Sequence, residues 1–285
     1  MLIKAYAKIN LSLNVFPKEP NTNLHQIDSI FLPIDLFDVI DIDIAMRNYT
    51  FVTCDDPDME IIENNTISRA IKLMRDRYGF KEHFHVEIHK AIPVRGGLGG
   101  GSSNAAAVIL YLNKLLNLRA TKEELIEIAK QVGSDVTFFL DNKPARVTGF
   151  GEKVSQPIKL IDDYHVLLVK PQQGLSTAEV YQEADNLGLK QLANNDLLIK
   201  ALETGDKELV RTSIFNSLQE AAIKLSPEIQ SIIDLLKQEG FRTVMMSGSG
   251  STVFALFRNE KKWLFSLMNK IRKMGCFVKI VEVKK

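Results

Sequence analysis

The sequence predicts an α+β protein of two lobes, an N-terminal mixed α/β unit followed by a C-terminal ferredoxin-like unit. Three observations predict it. The chain has 285 residues, enough for two medium domains that each bury a core. In its first half, apolar residues at period two alternate with apolar residues at helical spacing. In its second half the elements follow the split β-α-β-β-α-β order. Hydrophobic residues make up 45% and charged residues 25%, ordinary globular usage that argues against a disordered or fibrous chain.

The first element is a strand over Tyr6 to Val15. Ala7, Ile9, Leu11, Leu13 and Val15 point one way and Lys8, Asn10, Ser12 and Asn14 the other, the pattern of a half-buried strand. A second strand follows at Val39 to Ile44. Glu63 to Tyr78 carries Ile67, Ala70, Ile71 and Met74 at helical spacing, and Gly79 stops it. Phe84 to Ile88 reads as a strand that leads through Pro93 into a glycine run, and Asn104 to Leu116 follows as an apolar helix. Thr121 and Glu124 have capping-box spacing and open a helix that closes near Gly133. Ser134 or Asp135 can then cap a short apolar helix, and the first unit ends after the turn at Gly149 to Glu152.

The second unit reads as a strand at Val166 to Val169, a largely helical stretch, a helix at Pro227 to Lys237, and strands at Phe241 to Met246 and Thr252 to Phe257. A helix at Glu260 to Met274 and a strand at Phe277 to Val283 complete it. The expected division is 1–155 and 156–285, with no Pro/Ser-rich linker and no internal repeat. The expected ligand site is a cleft between the two units.

Formal net charge is +1, so no overall field draws the protein to nucleic acid or anionic lipid, and an anion must be held by a local device. Cys54 and Cys276 lie far apart and form no zinc-spaced cluster, which suits a reducing compartment. Met1 to Asn10 lacks a continuous apolar stretch, and no apolar run approaches the ~18 residues needed to span a bilayer, so a cytoplasmic protein is expected.

The local device is the segment Pro93-Val94-Arg95-Gly96-Gly97-Leu98-Gly99-Gly100-Gly101-Ser102-Ser103, five glycines immediately ahead of a helix. Glycine costs roughly 0.5 to 1 kcal/mol per residue against alanine in regular structure, so such density needs a reason. Close backbone approach to a ligand is one. Loop amides and a helix N-terminus aimed at one place offer unpaired N–H donors and the positive end of the helix dipole, which suits a polyphosphate. The sequence has neither the GK dipeptide of a Walker loop nor the G-x-G-x-x-G of a dinucleotide fold. Ser102 and Ser103 fit plain helix caps, and the same hydroxyls suit phosphate or magnesium.

Pro93 to Ala106 resembles the second motif of the galactokinase, homoserine kinase, mevalonate kinase and phosphomevalonate kinase (GHMP) superfamily. The likeness runs along the chain: Ala7-Lys8-Ile9-Asn10, GGLGGGSSNAA, Gly133-Ser134-Asp135-Val136, Ser176-Thr177-Ala178-Glu179-Val180-Tyr181 and Gly248-Ser249-Gly250, five motifs in order. The chain is similar above all to the branch that serves non-mevalonate isoprenoid synthesis. The resemblance implies a kinase that uses ATP and Mg2+ to phosphorylate the 2-hydroxyl of a cytidine diphosphate-linked methylerythritol. No nucleic acid or membrane is expected as a partner, and the protein is expected to be a monomer or homodimer.

The resemblance also implies roles for single residues. Asp135 becomes the general base with Lys8 beside it; Pro93 to Ser103, with Asn65 and Thr66, become the nucleotide site. Asn10, His25, Tyr181, Gly248, Ser249 and Gly250 become the substrate site, His25 and Tyr181 holding the cytosine. The magnesium ligands stay unassigned. From the residues alone, Asp135 fits an N-cap after Gly133 and Lys8 a solvated lysine on a polar strand face, the commoner roles for such residues. Three departures stand out: Asn23-Leu24-His25 for the usual Gly-Tyr-His, Arg95 for a common glycine, and Asn216-Ser217-Leu218-Gln219 for Asn-Asp-Leu-Glu. Two alternatives remain open, a kinase of the same superfamily for a different alcohol, and a non-catalytic nucleotide-binding module. The second would call for a basic, aromatic surface stretch that the sequence lacks.

His83, His85, Glu87 and His89 share one strand face at period two and read as its wet side rather than a metal array. Asp41 and Asp43 alternate with Ile40, Ile42 and Ile44 in the same way. Gly248 to Ser251 reads as a hairpin turn or as a phosphate or substrate contact.

Overall fold

The structure, a computed structural model, describes residues 2–56, 65–189, 192–258 and 263–285. Two compact units divide the chain. The first comprises Met1–Ala7, Leu36–Val94 and Gly99–Asn142, and the second Lys8–Asp35, Arg95–Leu98 and Lys143–Lys285. In chain order the elements of the first half are β1 (Leu2–Lys18), β2 (His25–Ile44), β3 (Phe51–Cys54), α1 (Thr66–Tyr78), β4 (Phe84–His89), α2 (Gly100–Leu115), α3 (Lys122–Val132) and α4 (Val136–Asp141). Then come β5 (Ala145–Gly149), β6 (Lys153–Val154), β7 (His165–Lys170), α5 (Thr177–Leu187), α6 (Asn195–Thr204), α7 (Lys207–Ser213), β8 (Phe215–Asn216) and α8 (Gln219–Leu225). The chain ends with α9 (Glu228–Gln238), β9 (Thr243–Met246), β10 (Val253–Phe257), α10 (Leu264–Lys273) and β11 (Phe277–Glu282). The long strands β1 and β2 each run through both units.

In the first unit β2 pairs antiparallel with β4, Val39 opposite His89 through Ile44 opposite Phe84, and β3 joins β4 in parallel. Phe84, Val86 and Ile88 turn inward with Ile40 and Ile42, as the alternation predicts. α1 packs against α2 and α3, and α2 against α4. Local signals set the helix ends. Asn65 caps α1 by accepting the Ser68 amide, Gly79 closes it at φ 71°, and Thr121 and Glu124 make both bonds of the capping box on α3. The predicted start of α1 at Glu63 lies outside the described residues.

In the second unit β7, β9, β10 and β11 form an antiparallel sheet in the order β11-β7-β10-β9. With α9 and α10 this is the ferredoxin-like arrangement, strand order 4-1-3-2, and α5 to α8 with β8 are inserted after its first strand. The predicted helix at Glu260 begins at Leu264, and residues 260–262 lie outside the described ones. β8 pairs in parallel with β1, and β5 antiparallel with β2.

Two expectations are corrected. The apolar helix predicted from Asn104 begins at Gly100, so two of the five glycines form its first turn. β1 is not half-buried: Lys8, Asn10, Ser12 and Asn14 on its polar face are all 3% exposed or less. The segment 193–195 supplies polar partners to that face, and β8 pairs along the strand's edge.

Among the described residues no helix is long and apolar enough to cross a membrane. Cys54 and Cys276 are both free thiols, pushed upward in pKa mainly by burial.

Candidate active site

The glycine run divides between the two units. In the first, Gly99 stands at the N-cap of α2 with φ 73°, and no side chain caps this helix. Ser103 donates its amide to Gly99 O at 2.9 Å. Among the described residues no acceptor is set against the amides of Gly100, Gly101 and Ser102, which leaves the helix N-terminus open to an anion. The start of α1 lies alongside, since Thr66 Oγ1 donates to Gly101 O at 3.0 Å. A Cβ on Gly100 would sit 3.2 Å from the Ile92 side chain and 3.3 Å from Lys90 Nζ.

Lys90 is held by Asp38, a pair that no sequence motif marks. Asp38 is fully buried; its Oδ2 accepts the Lys90 ammonium at 2.5 Å and its Oδ1 the amides of Ala91 and Ile92 at 2.9 and 2.8 Å. Three charge-assisted bonds fix the turn into Pro93 and Val94. In the next turn of α2, Asn104 is buried with neither amide atom paired among the described residues, and Thr137 Oγ1 on α4 is likewise orphaned. Such atoms are costly unless a ligand or water completes them. The uncapped backbone amides and these orphaned donors suit a polyphosphate at the start of α2.

Asp135 is the residue before α4. It occupies the N-cap position with helical dihedrals, yet its side chain makes no cap bond, so the plain capping role does not account for it. Asn65 spends its Oδ1 as the N-cap of α1.

In the second unit the rest of the run is pinned by the turn between β9 and β10. Leu98 O accepts the Lys8 amide at 3.0 Å, and Gly96 O accepts that of Thr252 at 3.3 Å. Gly97 has φ 72°, and a Cβ there would meet Ser247 O at 2.2 Å, so only glycine fits. Ser247, fully buried, accepts the Asn10 amide at 3.2 Å and donates to Gly97 O at 3.1 Å. Gly248 rests beside Asn10, where a Cβ would be 3.1 Å from Asn10 Oδ1. Behind the turn, Asn216 donates to both Met246 O and Gly248 O, at 2.9 and 2.8 Å. Gly250 closes against Met246. Arg95, exposed, takes φ 53° where the family favours glycine, a left-handed conformation that glycine adopts without strain.

Lys8 is not the solvated lysine of an edge strand. It is 3% exposed, its ammonium 2.5 Å from Asn10 Oδ1 and 4.4 Å above the Phe31 ring.

One face of α5 organises what remains. Thr177, Tyr181 and Asp185 recur at four-residue spacing, so they line up along the helix. Thr177 Oγ1 meets Ser249 Oγ at 3.0 Å, and the Tyr181 ring lies 5.1 Å from that of His25. Asp185 holds Lys18 at 2.7 Å and faces His25 Nε2 at 3.3 Å. His25 Nδ1 lies 2.7 Å from Phe16 O, a distance at which it donates and leaves Nε2 toward Asp185. The structure brings the rings of His25 and Tyr181 together. Sequence reasoning missed Thr177, Asp185, Lys18 and Ser247, although the T-x3-Y-x3-D spacing is visible in the sequence.

The histidine face of β4 is taken up locally. His85 stacks on Phe51 with centroids 4.2 Å apart, and His89 Nδ1 lies 3.4 Å from Asp55. Among the described residues no three His, Cys, Asp or Glu side chains converge as a metal site.

Comparison with known proteins agrees with this geometry. The GHMP kinases N terminal domain matches residues 65–143, and the GHMP kinases C terminal domain residues 198–262. A 4-diphosphocytidyl-2-C-methyl-D-erythritol kinase of Caldanaerobacter subterraneus subsp. tengcongensis is 40% identical over 91% of this chain and 89% of its own. The enzyme of that name from Clostridioides difficile is 36% identical over 95% and 91%. The crystal structure of a 4-(cytidine 5'-diphospho)-2C-methyl-D-erythritol kinase superposes with a TM-score of 0.81 at 26% identity, both chains covered in full. A homoserine kinase from Cytophaga hutchinsonii shares the fold, with a TM-score of 0.70 at 16% identity over 99% of this chain and 94% of its own.

Proposed function

The chain belongs to the GHMP kinases, and within them to the 4-diphosphocytidyl-2-C-methyl-D-erythritol kinases, and from that membership we propose that it transfers the γ-phosphoryl group of ATP to the 2-hydroxyl of that substrate. The reaction serves isoprenoid precursor synthesis. The observation that carries the reading is the uncapped start of α2, where amides of glycine and serine have no partner among the described residues and no side chain caps them. ATP with Mg2+ supplies the transferable phosphoryl group and neutralises its charge.

The chain's own residues then do three things. The backbone from Gly96 to Ser103 holds the polyphosphate by N–H donation, with Asn65 and Thr66 at the neighbouring helix start. His25 and Tyr181 take the cytosine, the ring of one and the polar edge of the other offering stacking and hydrogen bonding to a base. Asp135 takes the proton of the acceptor hydroxyl as the new P–O bond forms, and Lys8 stabilises charge on the group in transit. Lys8 is suited to this because Asn10 and Phe31 hold its ammonium in place.

ADP release with the cytidine diphosphate-linked substrate tests the reading. Wild-type turnover is expected, and Asp135→Ala is expected to lower kcat by roughly 10²- to 10⁴-fold, the usual worth of a general base. Turnover only with other acceptors in a panel of alcohols overturns the substrate. Undiminished turnover by Asp135→Ala overturns the base.

A further inference from the structure

Behind Lys8 runs a chain of buried polar groups whose hydrogen bonds all point one way. Lys8, Asn10, Ser12, Ser29 and Asn195 are each 3% exposed or less, so water does not arbitrate among them. An ammonium only donates, so the Asn10 atom that it meets at 2.5 Å is the amide oxygen. The Asn10 NH2 therefore faces Ser29 Oγ, 3.0 Å away, and since an amide NH2 only donates, Ser29 must accept. The single proton of Ser29 then goes to the Ser12 carbonyl. Ser12 Oγ accepts the Ile30 amide at 3.2 Å and donates to Asn195 Oδ1 at 2.5 Å, while Asn195 Nδ2 donates to Asp28 O at 3.0 Å.

We propose that Ser29 is a positioning residue for phosphoryl transfer: its hydroxyl, committed to the Ser12 carbonyl, fixes the rotation of the Asn10 amide, and Asn10 in turn aims the Lys8 ammonium. The inference rests on reading Lys8 as the group that meets the transferring phosphate. Turning the Asn10 amide over would set its NH2 against the ammonium and draw the Ser29 proton away from Ser12. The Phe31 ring under the ammonium offers a cation-π face, while Asn10 Oδ1, 2.5 Å away, offers it a directional acceptor. A fully satisfied buried network of this kind holds one geometry.

The test is a double-mutant cycle of Ser29→Ala and Lys8→Met, read by ADP release with KM for both substrates. Ser29→Ala is expected to lower kcat roughly 10- to 100-fold with each KM within about threefold, the mark of a contact that matters only in the transition state. In the Lys8→Met background the same change is expected to alter kcat by less than about twofold, because the residue it acts through is gone. An equal loss in both backgrounds, or none in either, overturns the proposal. Wild-type kcat in Lys8→Met alone overturns the reading of Lys8 and the proposal with it, so the two failures are distinguishable. If near-UV circular dichroism shows Ser29→Ala unfolded, Ser29→Cys, close in size and a much weaker acceptor, takes its place with the same outcomes.

Discussion

Gly79 and Gly97 have nearly the same backbone, φ 71° and 72°, and different surroundings. Nothing lies within 4 Å of a Cβ on Gly79, the residue that closes α1, whereas on Gly97 the Cβ would be 2.2 Å from a carbonyl oxygen of Ser247. Backbone cannot swing aside as a flexible side chain can. Gly79→Ala is therefore expected to cost only the left-handed penalty, about 1 kcal/mol. Gly97→Ala adds overpacking to strain, about 1 to 3 kcal/mol more, and shifts the loop proposed to hold the nucleotide. Urea midpoints rank the two variants, and titration with a fluorescent ATP analogue is expected to show weakened binding for Gly97→Ala alone. Equal binding by both would mean that the Ser247 contact does not shape the loop. The glycines were legible as a group because a run so costly in chain entropy persists where backbone must approach a ligand. Which of them meets Ser247 was not, because that neighbour lies 150 residues away.

At the scale of elements, local signals proved readable and long-range ones did not. The ends of α3 follow from Thr121, Glu124 and Gly133, and β4 from the alternation of Phe84, Val86 and Ile88, because caps and pleats are set by neighbours in sequence. β1 misled because its polar face meets Ala193 and Asn195, partners that no local pattern announces. α2 began early because an open N-terminus tolerates glycine where a helix interior does not. The capping box yields the prediction at this scale. Thr121→Ala is expected to cost about 1 kcal/mol and leave kcat unchanged. Glu124 reaches Arg77 at 2.7 Å as well as the Thr121 amide, and these two bonds, Arg77 first, hold its carboxyl below the ordinary 4.5. A carboxyl depressed in the folded state contributes stability above its unfolded value, and loses it as pH falls through the folded value. Glu124→Gln is thus expected to melt below wild type at pH 7, with the gap closing as pH drops below 4.5. A gap that persists undiminished well below that value would place its origin outside the ion pair.

For the whole molecule, the order of elements made the ferredoxin-like sheet legible, since β7, β9, β10 and β11 find all their ladder partners within the C-terminal portion of the chain, from His165 onward. The interleaving of the two units was not legible, because β1 and β2 pass from one to the other without a linker, a glycine cluster or a change in composition. Lys8–Asp35 belongs to the same compact unit as the C-terminal sheet. A fragment of residues 156–285 consequently keeps its four-stranded sheet but lacks the partners of the inserted segment. Ser12 and Leu13 are no longer there to pair with Phe215 and Asn216, Asn14 no longer brackets Ala193, and Ser12 no longer meets Asn195. Unpaired backbone and buried polar groups without partners open readily. Hydrogen exchange on that fragment is expected to show β7, β10 and β11 protected, with residues 192–217 exchanging far faster than in the full chain. Limited proteolysis is expected to cut within the same stretch. Protection there equal to that of the full chain would show that the inserted helices hold themselves, and that β1 does not stabilise the unit around them.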